Sequence, residues 1–155
     1  MPEPNVRLAR EGDQAQLLTM QLAPFPGAGP DDLAPEIQAH VNGAPQTPMA
    51  SDLYVYEHDD GNLGGFVEVA LRSVAEGAHG HSPVGYLEAI YVHDDLWRQG
   101  VGSKLVAAAE RWATDQGCQH LASDALLENV ASQRFHEGAG FAEVERAVHY
   151  VKALE

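Results

Sequence analysis

Two glycines, Gly100 and Gly102, stand one residue apart directly before a run of residues with helical periodicity. The start of a helix leaves several backbone N–H groups unpaired, and together with the helix dipole these groups form a site for an anion. Glycine lets a phosphate approach them closely. The stretch lacks the third glycine of a dinucleotide fingerprint and the ending of a P-loop. The spacing therefore leaves two interpretations open, a phosphate site or a tight strand-to-helix turn that binds nothing.

Carboxylates form the second set of candidate residues. Glu88 lies in the middle of the apolar run 84–92, where a carboxylate is costly to bury without a partner. Asp124 and Glu145 follow in later segments. Such groups can hold a cationic amine, and one of them can accept a proton from it. Taken singly, each also fits an ordinary acid on the solvent face of its element.

The overall charge favours a cationic ligand. The 155 residues include 9 Lys and Arg against 23 Asp and Glu, a formal net charge of −14. This charge argues against binding to nucleic acid or to a membrane, which both require a positive patch. It attracts cations, although acidity can also serve solubility alone.

The length predicts a single domain over residues 1–155. The one cysteine, Cys118, excludes an internal disulfide, and the N-terminal residues lack a signal-peptide pattern, so we expect a cytoplasmic protein. Neither His79-Gly80-His81 nor the Cys118/His120 pair has a full set of metal ligands, and we predict no metal site.

Hydrophobic periodicity predicts a mixed α/β (α+β) domain rather than a doubly wound parallel sheet. We expect helices over 13–22, with Asp13 as cap, and over 32–41, 103–116 and 130–137. Strands are predicted over 6–9, 84–92 and 120–123, with a hairpin over 53–71 that turns at Asp60-Gly61. A strand pair over 141–151 should complete the chain.

The strand YLEAIYV, the loop HDDLWRQGVG and the following helix resemble the acetyl-CoA site of the Gcn5-related N-acetyltransferase (GNAT) superfamily, and DALLENVASQRFHEGAGF resembles its second half. The segments SPVGYLEAIYV, ASDALLEN and SQRFHEGAGFAEVERAVHY are similar to the aminoglycoside 6′-N-acetyltransferases within it. The resemblance is dense from Ser82 to Tyr150 and thin before Ser82.

This resemblance implies a central twisted mixed sheet flanked by helices, and an enzyme of antibiotic resistance that transfers acetyl from acetyl-CoA to the 6′-amino group of an aminoglycoside in a ternary complex. It also implies a homodimer that uses no metal. The implied cofactor-binding residues are Ile90, Tyr91, Val92, Arg98, Gln99, Gly100, Val101, Gly102, Ser103 and Asn129. The implied substrate-binding residues are Phe25, Glu88, Asp124 and Glu145. The implied catalytic residues are Glu88, Asp124 and His136, and Tyr150 is an alternative acid for the same step.

Three positions depart from the family pattern. Trp97 stands where the family has Gln or Arg, and Phe25 and Ala75 stand at the places of two aromatic residues that contact the substrate. Two alternatives therefore stay open: an acetyltransferase for another small amine (a polyamine, an amino sugar or a peptide N-terminus), or an acyl-CoA-binding module without catalysis. Helix capping is an alternative role for Asn129.

Overall fold

The computed structural model describes residues 3–22, 37, 41 and 49–155. Their contacts separate the chain into two compact units that meet between Asp124 and Ala125. The first unit contains a β-sheet and two of the helices given below. The second contains one helix and the C-terminal segment.

The first unit is built on a five-stranded sheet whose strands neighbour one another in chain order. The strands are β1 (Val6–Leu8), β2 (Ser51–Glu57), β3 (Leu63–Arg72), β4 (Val84–Val92) and β5 (Leu121–Ser123). The first four pair antiparallel, whereas β5 runs parallel to β4. The predicted mixed sheet is confirmed, and so is the β2–β3 turn, where Gly61 has φ +90°.

The described helices are α1 (Gln14–Leu22), α2 (Val101–Asp115) and α3 (Val130–Gly138). The helix α2 begins two residues earlier than predicted, because Gly100 takes the N-cap position. Most of the helix predicted over 32–41 lies outside the described residues, but Ile37 and Val41 are helical. Among the described residues, no helix has the length and apolar composition needed to cross a membrane.

Strand β3 lies at the centre of the core and is buried along most of its length. Phe66, fully buried, belongs to a cluster with Leu17 and Met20 of α1. The adjacent Gly65 faces α2, since a Cβ there would lie 3.3 Å from Cδ1 of Leu105. The two helices therefore cover opposite faces of the strand.

The helix α2 packs on the sheet through the apolar face that its periodicity predicts. The predicted residues are all at most 5% exposed: Val101, Leu105, Ala108, Ala109 and Trp112. Glycine permits the close approach of helix and sheet, because a Cβ at Gly85 would lie only 2.7 Å from the Cβ of Ala113. The Nε1 of Trp112 donates a hydrogen bond of 2.7 Å to Asp52 and ties the helix to β2.

In the second unit, residues 141–155 form no regular secondary structure. The predicted strand pair over 141–151 is therefore wrong for the described chain. The segment is exposed from residue 142 onward, with Tyr150 at 92% and Val151 at 99%. Its apolar pattern suits a strand, but a strand also needs a hydrogen-bonding neighbour, and this unit has none among its described residues.

An ion-pair group joins the N-terminal strand to α1. Asp13, predicted as a helix cap, accepts hydrogen bonds from Arg7 at 2.7 and 3.0 Å and from the backbone N–H of Arg10 at 2.8 Å. Arg7 also pairs with Glu57. Burial opposes ionisation of Asp13, but the hydrogen bonds and charges of Arg7 and Arg10 outweigh it and hold the pKa of the Asp13 carboxyl below its ordinary value.

Replacing Asp13 with Asn should lower the free energy of unfolding at pH 7 by about 1–3 kcal/mol, because the half-buried Arg7 loses one of its two charged acceptors. The pKa of Asp13 is lower in the folded state than its ordinary 3.8, so this contribution is complete above that value and is lost as the pH falls below it. Urea denaturation should therefore give a gap between wild type and Asp13→Asn that is constant from about pH 7 to 5 and shrinks toward about pH 3. The exposed Asp95→Asn serves as control and should change stability by less than about 0.5 kcal/mol. A stability difference between wild type and Asp13→Asn that is as large at about pH 3 as at about pH 7 would contradict the lowered pKa of Asp13.

Candidate active site

The pairing of β3 with β4 contains one irregularity, which falls at Glu88. Glu68 lies opposite Ala89 and Val69 lies opposite Leu87, so Glu88 is left as the extra residue of a β-bulge. A bulge disrupts the ladder, increases the local twist and redirects the side chain. The Glu88 side chain is 24% exposed and paired with a cation, so it is not an ordinary surface acid of the strand.

Beyond this bulge, β4 has an open edge. The strand β5 pairs only with Gly85, Tyr86 and Leu87, and within the described part of the first unit no other strand pairs with residues 88–92 on that side. Backbone groups of an antiparallel strand alternate between facing the partner and facing away. Because His93 N–H donates to the Gly64 carbonyl, the backbone groups of Val92 and Ile90 face away from β3, toward this edge.

Trp97 takes one of the acceptors at this edge. Its Nε1 donates a hydrogen bond of 2.9 Å to the carbonyl oxygen of Val92, while the residue as a whole is 56% exposed. The departure from the family's Gln or Arg thus fastens the loop to the end of β4. The backbone N–H and C=O of Ile90 and the N–H of Val92 remain at the edge for an extended ligand chain.

The glycine turn lies at the start of α2. Gly100 has φ +84°, which glycine adopts without strain, and no side chain caps the helix. A Cβ at Gly100 would meet no atom within 4 Å, so the turn is open. The first backbone bond of the helix runs from Lys104 N–H to Gly100 O, so the helix supplies no acceptor for the preceding N–H groups at 101–103. Unpaired N–H groups at the start of a helix can bind an anion such as a phosphate.

The side chains of the turn have separate local roles. Gln99 donates a 2.7 Å hydrogen bond to the backbone carbonyl of Asp95, and Val101 is buried in the core at 3% exposure. The Gln99 N–H also donates to the Leu96 carbonyl at 3.3 Å, whereas Val101 can offer an anion its backbone N–H. Arg98 is exposed and has a positive φ of 63°, while Ser103 is exposed in the first turn of α2.

Two predicted carboxylates belong to one network of side chains. Arg72 donates hydrogen bonds of 2.8 and 2.7 Å to the two carboxylate oxygens of Glu88. Its guanidinium carbon lies 3.5 Å from the centre of the Tyr86 ring. The Tyr86 hydroxyl donates a hydrogen bond of 2.6 Å to Asp124. Glu88, Arg72, Tyr86 and Asp124 are called the carboxylate network below.

The network shifts the titration of its two partner groups. The hydrogen bonds to Glu88, with the charges of Glu88 and Asp124, raise the pKa of Arg72 above its ordinary value. Burial raises the pKa of the Tyr86 hydroxyl, and the hydrogen bond to Asp124 raises it further. Tyr86 therefore stays protonated at neutral pH and acts as a donor.

Arg72 and Tyr86 were not among the residues predicted from sequence. One signal was available: Tyr86 and Glu88 are two residues apart in a strand, a spacing that places both on one face. Arg72 could not be added, because its diagonal position beside Tyr86 depends on the pairing of Arg72 with Val84.

Asn129 and His136 lie on α3 in the second unit. Asn129 is the N-cap, and its side chain accepts a 3.0 Å hydrogen bond from Ser132 N–H, as the capping alternative predicts. The Nδ1 of His136 lies 2.7 Å from the carbonyl oxygen of Ser132, so Nδ1 carries a proton. A neutral His136 ring then has no proton on Nε2, and Nε2 can donate one only when the ring is charged.

Two further predicted residues, Glu145 and Tyr150, lie outside regular secondary structure. Glu145 and Tyr150 are exposed in the C-terminal segment 141–155. Phe25 lies outside the described residues. Ala75, the third family departure, is 7% exposed in a cluster with Ala78, Val84 and Tyr86.

The histidines and the cysteine named as metal candidates do not assemble into a ligand set. The rings of His81 and His120 lie 4.7 Å apart, but the described residues contain no group of three or more potential ligands. Burial raises the pKa of the Cys118 thiol, which favours the inert protonated form.

Comparison with known proteins agrees with this geometry. Residues 15–141 match the model of the acetyltransferase (GNAT) family. An aminoglycoside N(6′)-acetyltransferase type 1 of Serratia marcescens is 39% identical over 138 residues, which cover 88% of this chain and 90% of that protein. One from Stenotrophomonas maltophilia is 36% identical, over 98% of this chain and 95% of that protein.

A solved structure gives the same relationship at the level of the fold. The aminoglycoside acetyltransferase AAC(6′)-Iy, in complex with the bisubstrate analogue CoA-S-monomethyl-acetylneamine, superposes with a TM-score of 0.84 at 28% identity. The match covers 96% of this chain and 97% of that one. With the bulged β4, the open edge and the glycine turn, these likenesses establish that the chain belongs to the acetyltransferase (GNAT) family, in the group of the aminoglycoside N(6′)-acetyltransferases.

Proposed function

We infer that this chain catalyses the transfer of an acetyl group from acetyl-CoA to the 6′-amino group of aminoglycoside antibiotics. The observation that carries this function is the bulge at Glu88, which puts a carboxylate at the start of an open strand edge that leads to an anion site. The named relatives supply the acceptor class, since several are aminoglycoside N(6′)-acetyltransferases that the chain matches over most of its length. Acetylation of the drug would confer resistance.

The chain's own backbone holds the cosubstrate. The N–H groups at the start of α2 bind the pyrophosphate, with Arg98 and Ser103 beside them and Gln99, Gly100, Val101 and Gly102 shaping the turn. The edge groups of Ile90 and Val92, on either side of Tyr91, receive the pantetheine arm as an added strand and point a donor at the thioester carbonyl. When bound, acetyl-CoA supplies an activated acetyl group and a thiolate leaving group. Asn129 contacts the arm in addition to capping α3.

The carboxylates bind and activate the amine. An alkyl amine with a pKa near about 10.4 is almost wholly protonated at neutral pH, so it must lose a proton before it can attack. Carboxylates attract the ammonium but also favour its charged form. Most acidic contacts, Glu145 among them, therefore hold distal amines, and Glu88 or Asp124 accepts the proton directly or through water. Phe25 provides an apolar contact for the sugar ring.

The departing thiolate requires a proton, and His136 and Tyr150 are its candidate donors. His136 serves only in its charged form, because the proton of its neutral ring is held on Nδ1 by the Ser132 carbonyl. Tyr150, 92% exposed in the single chain, becomes a donor once a second copy covers the C-terminal segment. The amine attacks directly, so no acyl-enzyme forms, and Cys118 has no role in the reaction.

The enzyme works as a cytoplasmic homodimer whose subunits join through the C-terminal segment. Val144, Val148, Val151 and Leu154 are each more than 60% exposed in the single chain, an apolar surface that a second copy would cover. Pairing with a partner strand would also satisfy the backbone groups of this segment. The cytoplasm supplies acetyl-CoA and suits a chain with one free cysteine.

The acceptor position is tested by thiol release from acetyl-CoA. Kanamycin A and tobramycin, which carry a 6′-amine, should give rapid release, whereas paromomycin, which carries a 6′-hydroxyl, should give none. Spermidine and glucosamine separate the drug acceptor from other small amines. Binding of CoA by calorimetry without thiol release from any of these amines would contradict the enzymatic function and favour a binding module.

Asp124→Asn should raise the KM for tobramycin or lower kcat, by roughly tenfold, because a charged partner of the ammonium is lost. The KM for acetyl-CoA should stay unchanged, since the cofactor residues are elsewhere. Asp115→Asn is a matched control at the far end of α2, about 20 Å from the glycine turn by the rise of the helix. Steady-state parameters equal to those of wild type would remove Asp124 from the site.

Light scattering should give a mass of twice 16.7 kDa for the wild-type chain. Val148→Lys places a charge in the proposed interface and should shift the mass toward that of one chain, because a buried unpaired charge is costly. The exposed Glu137→Lys on α3 adds the same side chain outside the segment and should leave the mass unchanged. A wild-type mass of one chain at micromolar concentrations would rule out the dimer.

A further inference from the structure

The Tyr86 ring is fixed on two sides. The residue is 8% exposed and belongs to a buried cluster with Ala75, Ala78 and Val84. The Arg72 guanidinium lies over the ring at 3.5 Å and is itself held by two hydrogen bonds to Glu88. Cation–π contact and burial together leave the phenol little rotational freedom. Its hydroxyl is therefore a donor at a defined position.

Asp124 depends on this hydroxyl for its orientation. Asp124 is exposed and follows directly after the short strand β5. Among the described residues, Tyr86 is the one hydrogen-bond donor to its carboxylate, at 2.6 Å. Without that bond the side chain would rotate freely in solvent, because an exposed Asp has several accessible rotamers.

The charges of the network are divided unequally. Arg72 engages both carboxylate oxygens of Glu88 and compensates its charge. Tyr86 gives Asp124 a neutral donor, so one cation and two carboxylates leave one net negative charge in the network. A substrate ammonium is attracted most strongly to the carboxylate whose charge is uncompensated. That carboxylate is Asp124.

We propose that Tyr86 is a positioning residue for the acceptor: its hydroxyl holds Asp124, the uncompensated carboxylate of the network, in the orientation that receives a substrate ammonium group. Glu88, pinned by Arg72, forms the fixed wall of the same site. This inference rests on the proposed aminoglycoside acetyltransferase function and deepens it.

The test is Tyr86→Phe, which removes the hydroxyl and keeps the ring beneath Arg72. We expect the tobramycin KM to rise about three- to tenfold, the scale of one hydrogen bond to a partly solvated charged group, with the acetyl-CoA KM unchanged. Tyr54→Phe, a half-buried tyrosine on β2, is the matched control and should leave both constants unchanged. An unchanged tobramycin KM in a folded Tyr86→Phe protein would overturn the proposal.

A double-mutant cycle separates positioning from general loss of structure. If Tyr86 acts through Asp124, then Tyr86→Phe in an Asp124→Ala background should change the tobramycin KM by less than about twofold. The same three- to tenfold rise in both backgrounds would show that Tyr86 acts independently of Asp124 and would overturn the proposal.

Wild-type thiol release with tobramycin distinguishes the two levels of inference. Absence of release with every aminoglycoside is a failure of the proposed function, and the positioning role fails with it. Release by wild type together with an additive cycle is a failure of the positioning role alone. Release by wild type with a coupled cycle supports both.

Discussion

The parting of β4 from β5 at Glu88 is the constraint on which the candidate site depends. The pairing of β4 with β5 stops at Leu87, and the next residue, Glu88, is the bulge of the β3–β4 pairing, so a carboxylate lies at the point of separation. The strand then continues as an open edge toward the turn that starts α2. A polar edge for an extended ligand and a carboxylate for a cationic partner thus arise from the same local deviation.

The carboxylate network shows how the first unit can carry two acidic groups near each other without mutual repulsion dominating. Arg72 neutralises one carboxylate through a two-bond contact, which also fixes its direction. Tyr86 orients the other while leaving its charge in place. The buried Tyr86 contacts both parts of the network, because its ring lies against Arg72 and its hydroxyl bonds to Asp124. The apolar cluster around Tyr86 fixes the position of its ring. Arg72, Glu88 and Asp124 determine the charge of the network.

Local patterns predicted much of this arrangement. The apolar run of β4, the buried face of α2 and the Asp60-Gly61 turn follow from periodicity and turn chemistry, which act over a few residues. Glu88 was predicted as a site residue because a carboxylate is costly to bury in an apolar strand without a partner. Arg72 and Tyr86 were missed because their contact depends on the register of β3 against β4, which is a tertiary property. The strands expected over 141–151 failed for a related reason: the sequence has the apolar pattern, but the described part of the unit supplies no neighbouring strand. Asp13 does cap, by accepting from the Arg10 N–H, and it also pairs with Arg7, which the sequence did not predict.

The open edge of β4 also bears on how the chain behaves at high concentration. Unpaired strand edges are templates for joining other chains into aggregates. This edge is short, twisted by its bulge, tied at one end by the Trp97 indole and carried by a protein with a net charge of −14. Like charge opposes the joining of identical copies at this edge, whereas a ligand with complementary polar groups can still bind there. The edge of β4 can therefore bind a ligand without making the protein prone to aggregate.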